Sequence, residues 1–281
     1  MFIEIPNNAV MPMTLGNSDT LYIRIGGDRL IFARYDRVKD NTLNYRCFNV
    51  NKNMSLNANM LKALNSRSSL GEGAGRVYVC VDTPVTLVPL NEFDDDEMND
   101  IYSYNFSSGN RPMRVFYDML PLQNAVMLGA VDKDLEHTLL EAYPGATFHS
   151  CLMPLVLHYA SLCEGNSGSG KMFVSTEGGN LTVASFRGNK LSLLNTFAGV
   201  KQVEDALYYI FSVARQWNIV PSADEVYVVG GGPFEQALSA QLGKYIPNTY
   251  PFNPSDVQGR RVQALLKDIP YDMIVLILKA F

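Results

Sequence analysis

The stretch Lys171 to Phe197, KMFVSTEGGNLTVASFRGNKLSLLNTF, constrains the fold more than any other part of the chain. Three apolar runs are separated by Glu-Gly-Gly-Asn and Arg-Gly-Asn, residues that tolerate the positive φ of tight hairpins. The expectation is a meander of three antiparallel strands. The same grammar occurs near the N-terminus, in Leu21 to Phe48, where Gly26-Gly27 stands at the place of Gly178-Gly179. Leu21, Ile23 and Ile25 alternate with less apolar residues, as a strand with one buried face requires.

The elements after each meander also correspond. After the first, Ser55 is a candidate N-cap for a helix carrying Leu56, Met60, Leu61 and Leu64 at helical spacing. After the second, Val203, Ala206, Leu207, Ile210, Ala214 and Trp217 mark the clearest helix. Each helix is followed by a continuous apolar run, Arg76 to Val81 and Glu225 to Val229, of the kind buried on both faces of a parallel or mixed sheet. RVYVCVDTPVTLVPL in one half echoes EVYVVGGGPFEQAL in the other. Such a domain-sized internal repeat predicts two halves, 1–150 and 151–281, with Glu164 to Gly170 as the hinge. The first half also carries a lead-in with an edge strand at Phe2–Ile5, and an insertion around Arg111–Val131 that reads as a hairpin about Pro121. Helices are expected over Asp132–Ala142, Leu152–Leu162, Val262–Leu266 and Tyr271–Ala280, and short strands at Ala146–His149 and Thr249–Phe252.

Three meandering strands followed by α/β alternation is the ribonuclease H-like order, and a pair of such halves resembles the actin-like ATPase superfamily. The resemblance spans about residues 20–281 and is strongest to short bacterial members. These are the cytoplasmic actin-like proteins of type IV pilus assembly and type II secretion, and an uncharacterised bacterial family of this fold. It implies a mixed α/β chain whose halves meet at a cleft near Gly26, Gly178 and Gly231. It also implies candidate nucleotide-contacting residues: Gly26 and Gly27, then Gly178, Gly179 and Asn180, then Gly230, Gly231 and Gly232, the last three resembling the superfamily's adenosine-contacting segment.

The departures from that pattern shape the functional expectation. Active relatives carry an Asp beside the glycine of each first turn, holding phosphates and metal-bound water. Here the first copy reads Tyr22-Ile23-Arg24-Ile25-Gly26-Gly27, with Asp28 only after the glycines, and the second has Ser175 or Thr176 where the acid belongs. Glu177 is in the wrong register, since successive strand residues face opposite sides. Phosphoryl transfer rests on positioned charge and metal. The expectation is therefore a catalytically degenerate, pseudoenzyme-like scaffold with a protein partner bound at the cleft or at the Arg111–Val131 insertion. The alternative is an ATPase or sugar-kinase-like phosphotransferase using Asp28, Glu177 or Asp82. No cofactor is firmly implied; ATP with magnesium belongs to the alternative.

Composition narrows the remaining classes. A net charge of −5 with 18% charged residues offers no basic surface for nucleic acid or anionic lipid. No apolar run reaches the roughly 18 residues that span a bilayer, and MFIEIPNNAVMPMTLG lacks the basic and apolar regions of a signal peptide. A cytoplasmic protein without membrane insertion is expected. Cys47, Cys80, Cys151 and Cys163 share no metal-ligand spacing and read as buried thiols. His149, Cys151 and His158 hint at zinc or a Cys/His pair, but packing or surface roles are expected because no second ligand pair completes the set. The acidic run Asn91 to Asn99 reads as the first turn of a helix rather than a metal site. Gly165 to Met172, GNSGSGKM, fits most of a phosphate-binding loop, yet Met172 replaces the required hydroxyl and the order is helix–loop–strand. Tyr102, Tyr104, Phe106, Phe116 and Tyr117 are expected at core and half-buried sheet positions, with a protein-binding patch as the alternative.

Overall fold

A computed structural model describes residues 2–4, 20–36, 42–66, 73–106, 111–165, 169–254 and 269–279. The chain divides into two units, Met1–Pro154 with Asp268–Phe281, and Leu155–Lys267. The first is built on a sheet of β1 (Phe2–Glu4), β2 (Thr20–Ile25), β3 (Arg29–Asp36), β4 (Thr42–Asn49), β5 (Arg76–Val81) and β9 (Ala146–Ser150), in the order β1-β4-β3-β2-β5-β9. The meander β2–β3–β4 is antiparallel, and β5 and β9 then add in parallel. Its central position explains why β2 is buried along its whole length. Leu21, Ile23, Ile25 and Phe32 form the core with Met60 and Ala63 of α1 (Leu56–Leu64) and Leu135 and Leu139 of α3 (Lys133–Ala142).

Both helices start at a side-chain cap, the first at the Ser55 expected from its sequence. Ser55 accepts from the Ala58 N–H ahead of α1. Asp132 accepts from Asp134 and Leu135 ahead of α3, satisfying donors that the first turn leaves open.

The insertion forms a second layer in this unit: β6 (Thr86–Pro89), α2 (Met98–Asn105), β7 (Met113–Leu120) and β8 (Ala125–Asp132), with sheet order β6-β8-β7. The hairpin about Pro121 is present; its turn closes at Asn124 with φ of 52°. Strand β6 has no counterpart in the sequence reading, because TLVP is too short to show alternation. The acids of that run precede α2: Asp94, Asp95 and Asp96 lie ahead of it and Glu97 is its N-cap residue, while the acid of the first turn, Asp100, lies just past the run.

The second unit repeats the five-strand order. β10 (Gly170–Glu177), β11 (Asn180–Arg187), β12 (Lys190–Phe197), β13 (Glu225–Val229) and β14 (Thr249–Phe252) are ordered β12-β11-β10-β13-β14, with β13 parallel to β10 and β14 parallel to β13. Met172, Val174, Leu181 and Val183 pack against Ala206, Ile210 and Ala214 of α5 (Val203–Trp217) and Leu238 and Leu242 of α6 (Pro233–Leu242).

Helix α4 (Leu152–Leu162) contains the division, and α7 (Tyr271–Lys279) groups with the first unit. The expected helix Val262–Leu266, the turn Lys39-Asp40-Asn41, the lead-in after Glu4 and the centre of the Glu164–Gly170 hinge lie outside the described residues. No described helix is long and apolar enough to cross a membrane.

Candidate functional site: the glycine turns

The first turn joins β2 to β3. Gly26 is buried and its N–H donates to the Arg29 carbonyl at 3.0 Å, while Gly27 is exposed at the tip. Beneath it lies Arg24, only 2% exposed. A Cβ added at Gly26 would sit 2.6 Å from Arg24 Nη1, so glycine is what lets the guanidinium pass under the turn. Arg24 Nε donates to both carboxylate oxygens of Asp272 on α7, at 3.1 and 2.9 Å, and Nη2 lies 3.7 Å from Asp82 Oδ2 at the end of β5. A buried guanidinium needs this compensation, since an unpaired ion in the interior is prohibitive. Burial pushes the Asp82 carboxyl above its ordinary range, and Arg24 works against that shift. Asp28 sits at the hairpin tip, half exposed, 3.7 Å from Arg29. The position before the first glycines thus carries a neutralised cation.

The second turn joins β10 to β11. Gly178 and Gly179 have φ of 59° and 82°, and the Gly179 carbonyl accepts from Val200 N–H at 2.9 Å. Positive φ at both central residues is the hairpin geometry that matches strand twist. Asn180 opens β11. One strand over, Gly230, Gly231 and Gly232 leave the end of β13, which runs parallel to β10 with Ser175 opposite Val229. Both glycine segments of this unit therefore lie at the same end of one sheet.

Glu235, in the first turn of α6, occupies the hollow of the triplet. A Cβ at Gly230 would meet Glu235 Cγ at 2.8 Å, and one at Gly232 would meet Glu235 Oε2 at 2.6 Å. Thr176 Oγ1 donates to Glu235 Oε1, tying the two glycine segments together. Sequence reasoning missed Glu235. The signal was a carboxylate three residues after a Gly-Gly-Pro helix start, where it also meets the positive end of α6.

The other candidates separate. Cys80, Cys151 and Cys163 are buried, whereas Cys47 is exposed, towards the end of β4 where its neighbours Arg46 and Asn49 are exposed as well. Burial pushes the Cys80 and Cys151 thiols well above the ordinary value, which keeps both in the un-ionised form. His158 is buried; His149 instead pairs with Asp118, Nδ1 to Oδ1 at 2.6 Å. Among the described residues no group of three or more His, Cys, Asp and Glu is placed to hold a metal ion. Of the five clustered aromatics, Tyr102 and Phe116 are core residues, while Tyr104 is 92% and Tyr117 41% exposed.

The profile of the family described as "Protein of unknown function (DUF3822)" matches residues 14–249. No curated protein matches the chain. Among solved structures, a Bacteroides thetaiotaomicron VPI-5482 protein with actin-like ATPase fold and unknown function is similar at 26% identity. It has a TM-score of 0.77, over 92% of this chain and 98% of that one. The PilM–PilN type IV pilus biogenesis complex is similar at 15% identity, with a TM-score of 0.51 over 94% of this chain and 98% of that one. The fold is the two-domain actin-like ATPase fold.

Proposed function

The chain belongs to the DUF3822 family, whose function is unknown, and from the chemistry of its glycine turns we propose a non-hydrolysing actin-fold scaffold that binds a protein partner in the cytoplasm. The observation that carries the reading is Arg24. Transfer of a phosphoryl group needs acids at the turns to hold the metal and its water. At the first turn this chain buries a guanidinium between Asp272 and Asp82 instead. At the second, Glu235 fills the glycine hollow and engages Thr176. ATP with magnesium does not fit these residues. The acids near the first turn are engaged by Arg24 rather than open to a metal, and the Glu235 carboxylate would repel an anion brought to the Gly230–Gly232 turn. Of the acids that a phosphotransferase would have to recruit, Asp82 is already committed to Arg24, and Asp28 points from the hairpin tip toward Arg29.

Partner binding draws support from the insertion layer. Tyr104, Tyr117, Met119 and Leu122 are exposed there, at 92%, 41%, 48% and 69%. Aromatic and Met side chains of this kind are favoured at protein interfaces. A protein of the same fold forms the PilM–PilN complex, which agrees with a partner-binding role.

The test is thermal unfolding with and without millimolar Mg-ATP, alongside phosphate release. A ligand that binds only the folded chain must raise its midpoint. The expected result is an unchanged midpoint and no release above buffer. A raised midpoint with magnesium-dependent release, lost when Gly178 or Gly231 is replaced, overturns the proposal in favour of a phosphotransferase.

A further inference from the structure

The first unit contains a second constellation, remote in chemistry from the glycine turns. Two sheet edges face each other across it: β9, the last strand of the six-stranded sheet, and β7, the last strand of the insertion layer. Asp118 of β7 is 5% exposed. Its Oδ1 lies 2.6 Å from His149 Nδ1, and its Oδ2 accepts from the Ser150 N–H at 2.8 Å. His149 Nε2 lies 2.9 Å from Thr147 Oγ1, two residues back on the same face of β9. The Val77 carbonyl is farther from that hydroxyl, at 3.5 Å. A carboxylate accepts, so the Nδ1 proton points at Asp118, and in the neutral ring Nε2 then carries the lone pair. The hydroxyl of Thr147 then donates to that lone pair. The result is an ordered chain of acid, imidazole and hydroxyl with both links at hydrogen-bond length.

Two further features complete a reaction site. Along β9, the Cys151 N–H donates toward β5, to the Val81 carbonyl at 3.1 Å, while Ser150 N–H donates the other way, to Asp118. Strand alternation turns the Phe148 N–H to the same side as that of Ser150, toward β7 and away from β5. That N–H adjoins Thr147. Beside them opens a cavity of about 420 Å³, with Val115, Phe116, Leu140 and Phe148 on its apolar side, the paired Arg114 and Glu136 on its polar side, and Thr147 and His149 on its lining. A volume of this order takes a small acyl group, and its apolar side favours an aliphatic or aromatic one.

We propose that Thr147, His149 and Asp118 form an acyl-transfer site acting on small esters with an apolar acyl group. Thr147 Oγ1 attacks the ester carbonyl carbon and its proton passes to His149 Nε2. The oxygen that gains charge is met by the Phe148 N–H. Collapse breaks the bond to the alkoxy group, which leaves with the proton from His149. Water, deprotonated by His149, then attacks the Thr147 ester and releases the acid, restoring the hydroxyl. The sum is one ester and one water giving one acid and one alcohol. Asp118 is a positioning residue: it holds the ring and its tautomer.

The probe is p-nitrophenyl butyrate with the full chain, together with a fluorophosphonate that labels activated hydroxyls. The expected result is turnover above buffer and a phosphonylated peptide containing Thr147. Thr147→Val removes the hydroxyl at nearly constant shape on an exposed strand position and should abolish both with the unfolding midpoint unchanged. His149→Asn should lower turnover by roughly 100-fold or more, the usual worth of a general base. Added imidazole should restore part of it, a response that a merely structural histidine would not show. Unlabelled Thr147, or equal turnover in Thr147→Val, overturns the assignment. Neither result depends on the Mg-ATP test of the glycine turns.

Discussion

The two meanders have one topology and two different turns. In the first, β2 ends in a buried charge, and Gly26 is required by what lies beneath it: Arg24 Nη1 would be 2.6 Å from a Cβ. In the second, β10 ends in Ser175, Thr176 and Glu177, and glycine is required by the backbone itself, with φ of 59° and 82° at Gly178 and Gly179. The same residue pair therefore answers to a packing constraint in one unit and a dihedral constraint in the other. A Gly-Gly pattern shared by the halves does not imply that the chemistry around it is shared.

The largest effect should come from breaking the first turn's ion pair. Arg24→Met strands the Asp272 carboxylate in the interior and should cost about 4 kcal/mol in urea unfolding, with α7 loosening from β2. Arg24→Met combined with Asp272→Leu removes the two more deeply buried ions, leaving only the part-exposed Asp82, and should recover most of that loss, because well-packed apolar pairs replace buried ion pairs at little cost. If the double variant is as unstable as the single one, the charge pair is not what holds this turn, and the contrast with the second unit fails.

The second unit has its own buried acid, placed away from its turn. Asp224 is 1% exposed and accepts from Gly170 N–H at 2.7 Å, Val220 N–H at 2.8 Å and Arg187 Nη1 at 2.7 Å. Burial alone would raise its carboxyl, but these donors outweigh it and hold the carboxyl below the ordinary range. The folded form thus prefers the ionised state. The resulting stability is present above the unfolded value, about 3.9, and is lost as pH falls through the lower folded value. Asp224→Asn should cost about 3 kcal/mol at pH 7, and the two unfolding curves should converge as the pH drops below 4. A constant gap at all pH values would mean that packing, not charge, is at stake.

Much of this architecture is legible in the sequence, and the limits fall along physical lines. Strand and helix identities follow from local periodicity, so β2 to β5, α1, α5 and β13 sit where apolar spacing puts them. The cap Ser55 is legible for the same reason, since a cap acts within one turn of itself. Arg24 is legible only as an absent acid. Its partner Asp272 is 248 positions away, and nothing local announces that distance. His149 stands out as a lone histidine beside Cys151; the groups that give it meaning are Thr147, two residues back, and Asp118, across a sheet edge. Exposure is also beyond reach for the aromatic cluster, because the period-two pattern of β7 says that Phe116 and Tyr117 face opposite ways but not which way is inward.

The smallest effects separate the two kinds of glycine most sharply. Gly178→Ala places a Cβ on a residue with φ of 59° and should cost about 1 kcal/mol whatever surrounds it, because the strain is internal to the residue. Gly26→Ala should cost a similar or larger amount, but through a neighbour: the guanidinium must shift, and with it the bonds to Asp272. The distinction is measurable as a double-mutant cycle. In the background of Arg24→Met with Asp272→Leu, the atom that a Cβ at Gly26 would strike is gone. The penalty of Gly26→Ala should then fall to that of its remaining contacts, the Arg29 carbonyl at 3.2 Å and Asp28 Oδ1 at 3.3 Å. The penalty of Gly178→Ala should not change in that background. Equal coupling of both glycines to Arg24 would mean that the two turns respond to a common rearrangement, and that one physical account must serve both.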